Sequence, residues 1–134
     1  MSLNRHQIRR SAFQTLFALS SNSGANVSDI YDQVLNDDDE VPAYLTQLVD
    51  GVIAHQDELD ASIQQLLDKK WRLSRLAKTD LVILRIALYE MQFVDNVPDA
   101  VAINEALELT KTFSDDKSKG FVNGVLGNFE KQAK

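Results

Sequence analysis

Cysteine is absent from the 134 residues of this chain, which has only two prolines, five glycines and two histidines. Without cysteine there is no disulfide framework, thiolate metal site or thiol nucleophile, and the chain suits a reducing compartment. His6 and His55 are too far apart in sequence to suggest a metal spacing or a nucleophile–base pair. Neither a GxxxxGK phosphate loop nor a dinucleotide-binding glycine pattern occurs. No apolar run reaches the roughly 18 residues that span a bilayer. The first arginines are not followed by the apolar stretch of a secretory signal. Asn26-Val27-Ser28 spells a glycosylation sequon, which is empty without export. The expectation is a cytoplasmic protein that is not an enzyme, with no cofactor, metal, membrane or small-molecule substrate.

The balance of 44% hydrophobic and 25% charged residues is that of a globular chain, long enough for one domain or two small joined subdomains. The formal charge is -6, yet positive charge is concentrated locally. Residues 1–28 carry Arg5, Arg9 and Arg10 and no acid, whereas residues 29–60 carry only acids, with a block at Asp37, Asp38, Asp39 and Glu40. A cationic patch on an acidic protein suits phosphate, and nucleic acid is the obvious source of it.

Scarce proline and glycine leave long segments, and these read with a helical period rather than with strict alternation. The fold class is therefore all-α. Helices are predicted over about 4–19, from Ser28 as a cap to about residue 35, over 42–67, 78–93, 98–113 and 116–131. In the first, Ile8, Ala12, Leu16 and Leu19 form the core stripe. Phe13, Phe17 and Arg10 flank it. The run over 42–67 places Leu45, Leu48, Val49, Val52, Ile53, Leu59, Ile63, Leu66 and Leu67 inward. Gly51 inside it marks close packing rather than a break. The helix over 78–93 is apolar almost all round and must be central. Glu90 falls on its apolar side, about 140° from Arg85, and a buried carboxylate needs a basic partner or a helix N-terminus from elsewhere.

The acid block is not a calcium loop: its sixth position is Pro42 and its twelfth is Leu48, where glycine and glutamate belong. It reads as a solvated loop between two helices. The arginines read either as a solvated first turn or as a phosphate site. Cations near a helix N-terminus oppose its dipole, so stability does not favour them there. Phe13 and Phe17 read either as core or as the aromatic platform that, beside arginine, holds single-stranded RNA. Lys117, Lys119 and Phe121 repeat the basic-and-aromatic theme. Periodicity leaves open whether the two patches meet.

Four segments carry a resemblance. Ile83-Leu84-Arg85-Ile86-Ala87-Leu88-Tyr89-Glu90, Val97-Pro98, Val101-Ala102-Ile103-Asn104-Glu105-Ala106 and Phe121-Val122-Asn123-Gly124-Val125-Leu126 resemble the bacterial transcription antitermination factors of the NusB family. The run Arg9-Arg10-Ser11-Ala12-Phe13-Gln14-Thr15-Leu16-Phe17 is similar to that family's arginine-rich start. The resemblance covers the chain nearly end to end, although residues 20–70 match only in pattern. It implies two packed three-helix subdomains, about 1–70 and 71–134, and no enzymatic activity. It implies binding of the boxA RNA of ribosomal RNA leaders together with NusE, a small-subunit ribosomal protein. Other Nus factors and RNA polymerase complete the implied assembly, which reads through terminators. By position it implies RNA contacts at Arg5, Arg9, Arg10, Phe17, Lys117, Lys119 and Phe121. Phe17 stands where the family often has tyrosine, and Lys117 where some members have an acid. Asp80 matches an acidic position facing the partner. Asn104, Asn123 and Glu90 are read as structural. Two alternatives are a helical adaptor that binds only protein and an RNA-binding accessory domain like those of RNA methyltransferases.

Overall fold

The computed structural model describes residues 3–22, 24–35, 40–68 and 71–132. Within them the regular structure is helical: α1 Arg5–Ser21, α2 Val27–Val34, α3 Ala43–Ala54, α4 Gln56–Leu66, a 3-10 turn Leu73–Arg75, α5 Lys78–Phe93, α6 Asp99–Phe113 and α7 Asp116–Gln132. Asp37, Asp38 and Asp39 of the acid block lie outside the described residues, and Glu40 at its end is exposed.

Local chemistry sets the helix starts. Asn4 and Gln7 form a capping box at α1, each side chain accepting the other's backbone N–H at 2.8 and 2.9 Å. Asn26, not Ser28, caps α2: its Oδ1 accepts the Ser28 amide at 2.8 Å. Pro42 and Pro98 occupy the cap positions of α3 and α6 with φ of -63° and -61°. Asp115 Oδ1 accepts from the Ser118 amide at 2.8 Å and so begins α7.

The run expected as one helix over 42–67 is two. The break falls at His55, with φ -107° and ψ 15°, four residues after Gly51. The His55 ring stacks on Phe93 at 4.2 Å. Gly51 itself is helical and marks close packing, since a Cβ there would overlap the Tyr89 ring of α5. Ile53, expected inward, is 46% exposed. The buried stripe of α3 centres on Leu45, Leu48, Val49 and Val52, and Ile53 lies at its edge.

Helix α5 is central, as its all-round apolarity required: it packs against α1, α3, α4, α6 and α7. Residues 82–84 and 86–90 are all buried. Its one basic residue toward α4, Arg85, pairs with both Asp60 oxygens at 2.7 and 2.9 Å. Helix α1 reaches both halves of the chain, touching α2 and α3 as well as α5 and α6. Arg9 of α1 meets Glu90 near the end of α5, and Ser21 at the end of α1 meets Lys78 at the start of α5, so the two run antiparallel. His6 meets Glu105 and Phe13 meets Phe113, so α1 and α6 run parallel.

Candidate nucleic-acid interface

The three N-terminal arginines have three different fates. Arg9 is 4% exposed. Its Nε donates to both oxygens of Glu90 at 3.0 Å, and Glu105 lies 3.8 Å from Nη1. Burial works against its charge, but the hydrogen bond and negative charge of Glu90, with Glu105 behind, hold the guanidinium above its ordinary pKa. The expected RNA contact from Arg9 is therefore corrected: its guanidinium is the basic partner that Glu90 required. Tyr44 of α3 completes the site by donating its hydroxyl to Glu90 Oε2. Burial, then the Glu90 carboxylate, pushes that hydroxyl's pKa well up, so it stays a donor.

Arg5 is exposed, but its guanidinium carbon lies 3.6 Å from the centre of the Tyr44 ring, a cation–π contact. Arg10 is exposed and has no ion pair among the described residues. It shares its helical angle with Phe17 two turns on. Phe13 is buried, stacked between Phe17 at 5.7 Å and Phe113 at 4.5 Å. Phe17 caps this stack and is partly exposed. The ambiguity of the two rings thus resolves by position: Phe13 is core, and Phe17 packs on the core but stays partly exposed.

The first turn of α5 joins the two patches. On one side Lys78 Nζ lies 6.0 Å from the Phe17 ring centroid and 3.4 Å from Ser21 Oγ. On the other, Asp80 Oδ2 accepts from Ser118 Oγ of α7 at 3.1 Å. Asp80, Lys117 and Phe121 line one cavity of about 200 Å³ with Trp71, Arg75 and Ser118. Lys117 and Lys119 are exposed and Phe121 is partly so. Lys78 was not singled out from sequence. Its signal was available: a cation in the first position of a helix opposes the dipole.

Asp80, expected at the partner surface, is 7% exposed. Its Oδ1 is buried and receives no hydrogen bond among the described residues. Burial pushes its pKa up, Asp115's charge adds to this, and the Ser118 bond opposes it. Among the described residues no group of histidine and acid side chains could hold a metal ion. No described helix is long and apolar enough to cross a membrane.

The arrangement defines a class: an all-helical protein with exposed cations and half-open aromatic rings on either side of one helix start. The family model described as "NusB family" matches residues 6–131. The transcription antitermination protein NusB of Limosilactobacillus reuteri (strain DSM 20016) is 59% identical over 133 residues, covering 98% of this chain and 96% of the relative. That of Lactiplantibacillus plantarum is 59% identical over 135 residues, with coverage of 98% and 97%. Among solved structures, T. maritima NusB superimposes with a TM-score of 0.87 at 29% identity, covering 98% of this chain and 93% of that one. A structure of antitermination factors NusB and NusE in complex with dsRNA matches with a TM-score of 0.82 at 26% identity and 96% coverage of each chain. The chain belongs to the NusB family.

Proposed function

We propose that this protein is a transcription antitermination factor of the cytoplasm that binds boxA RNA together with NusE and has no catalytic role. In company with other Nus factors on RNA polymerase it promotes read-through of terminators. The observation that carries this reading is the set of exposed cations and open rings around the first turn of α5. Arg10 and Phe17 stand on the α1 side, Lys78 at the centre, and Lys117, Lys119 and Phe121 on the α7 side. Arg5, laid on Tyr44, extends the edge toward the start of α1. Cations neutralise phosphate, and partly exposed rings offer stacking to unpaired bases. The solved NusB–NusE complex holds double-stranded RNA. The open rings of this chain favour a single strand, whose bases are free to stack.

Asp80 is the proposed contact for the basic protein partner. It is 7% exposed and its Oδ1 is buried, so it would act on a basic partner through its charge near the surface and not through a hydrogen bond to that oxygen. The acidic balance of the chain favours such a partner over the rest of its surface.

The test is fluorescence anisotropy of labelled boxA RNA against a scrambled sequence, with and without NusE. Preference for boxA, strengthened by NusE, is the expected result. Arg10→Ala with Lys117→Ala should lower the salt slope of binding by roughly 0.7 for each lost phosphate contact. Binding of NusE without any RNA binding would instead establish a protein-only adaptor.

A further inference from the structure

The chain's single tryptophan is half outside the protein. Trp71 is 51% exposed, in the segment between α4 and α5. Tryptophan is among the residues that most often anchor binding partners. Its backbone is tied to α4. Gln64 of α4 donates from Nε2 to the Trp71 carbonyl at 3.0 Å and accepts from the Leu73 amide at 2.9 Å. The Trp71 amide donates to the Asp68 carbonyl at 2.8 Å, and a 3-10 turn follows at once. Both backbone groups of Trp71 are thus engaged without a ligand.

Trp71 and Phe121 are common to two adjoining cavities. One is the small cavity of Asp80 and Lys117. The other is a groove of about 600 Å³ along α7, lined also by Leu66, Asn123, Gly124 and Lys131. A Cβ built on Gly120, Gly124 or Gly127 would meet nothing within 4 Å, so packing inside the chain does not require glycine there. Glycine weakens a helix, and here it leaves the groove floor low.

We infer that Trp71, with Phe121, forms a second stacking site for unpaired bases, carrying the RNA path from the first turn of α5 into the groove along α7. The inference rests on the RNA-binding reading above and extends it. Three observations favour RNA as the occupant. The site is continuous with Phe121, already in the proposed edge. Arg75, Lys117 and Lys131 stand at the two cavities, and cations beside flat rings are the chemistry of single-strand binding. Asn123, expected from the sequence to be structural but exposed in the fold, and Asn128 line the same groove and carry both donors and acceptors for base edges. Two acids, Asp68 and Asp80, also line these cavities; Asp80 is buried and held by Ser118.

The experiment uses the full chain, single-stranded boxA RNA and NusE. Trp71 is the only tryptophan of this chain, so the chain's own emission, read with RNA alone and after subtraction of NusE's, reports this site. Trp71 emission should be quenched by the RNA, saturating together with the anisotropy of the labelled strand. Trp71→Leu, on an exposed side chain, should weaken RNA binding roughly five- to hundredfold with the salt slope unchanged, because stacking neutralises no phosphate. Trp71→Phe should recover part of the loss. RNA binding with unaltered emission, and with equal affinity for Trp71→Leu, overturns the inference while leaving the RNA-binding reading intact. Emission that responds only to NusE, with Trp71→Leu impairing that complex and not RNA binding, also overturns it and makes the groove a protein contact. No RNA binding by the unaltered protein, alone or with NusE, overturns both readings.

Discussion

Arg9 and Glu90 stand 81 positions apart in the chain and meet as a buried pair, joined by Tyr44 and backed by Glu105. A buried pair adds little net stability over an apolar one, but removing one partner strands the other in a low-dielectric site. Arg9→Ala is therefore expected to destabilise the fold by about 3–5 kcal/mol, read by urea denaturation. Loss of RNA binding in that variant would follow from unfolding, and only a folded variant with unchanged stability would return Arg9 to the RNA surface. Asp80 gives the opposite sign. Its folded-state pKa is raised, chiefly by burial, so its ionised form is disfavoured in the native state. Below the ordinary carboxylate range both states are protonated and the cost vanishes. As pH rises through the raised value the native state loses stability. Asp80→Asn should thus raise Tm relative to the unaltered protein at pH 7, with the gain shrinking toward pH 4. A constant gain across that range would place its cause in packing instead of charge.

Helix α3 shows the same division at the level of the element. Its period was plain in the sequence, and Gly51 could be read as a point of close approach, because a lone glycine inside an amphipathic helix costs about 1 kcal/mol without some packing use. That use is the Tyr89 ring of α5. Gly51→Ala should improve local helix propensity and still destabilise the protein, by about 1–3 kcal/mol, through overpacking. A thermal melt that shifts upward would show that Tyr89 moves aside at no cost. The break at His55 was not legible. Nothing local stops the helix there, and the residues around it suit a helix. The stacking of His55 on Phe93, the last residue of α5, accompanies the turn. Likewise the cap of α2 fell to Asn26 and not Ser28, a choice between two competent side chains that local sequence leaves nearly degenerate.

In the whole molecule the charge split becomes a surface. Phe17 and Phe121 lie more than a hundred residues apart, and the first turn of α5 stands between them. Lys78 there has no ion pair among the described residues and opposes its own helix dipole. Lys78→Gln should lower the salt slope of RNA binding by about 0.7 while leaving Tm equal or slightly higher. A fall in Tm with an unchanged slope would make Lys78 a structural cation held by Ser21 and Phe17.

The amino-acid sequence by itself determined the all-helical class, the central place of α5, the need of Glu90 for a basic partner, and the family. Each follows from periodicity, from the cost of burying a bare charge, or from motifs contiguous in the chain. Only the tertiary structure decided which arginine was that partner. Arg5, Arg9 and Arg10 are chemically alike; helical rotation sets Arg10 away from the core stripe but leaves Arg5 and Arg9 both on or beside it, and does not say which of those two a distant carboxylate will hold. Packing of α1 against α5 turned Arg9 inward, left Arg10 to solvent and laid Arg5 on Tyr44. The same packing decided that Phe13 belongs to the core and Phe17 to the edge, because Phe113 arrives from α6 on one side of the pair only.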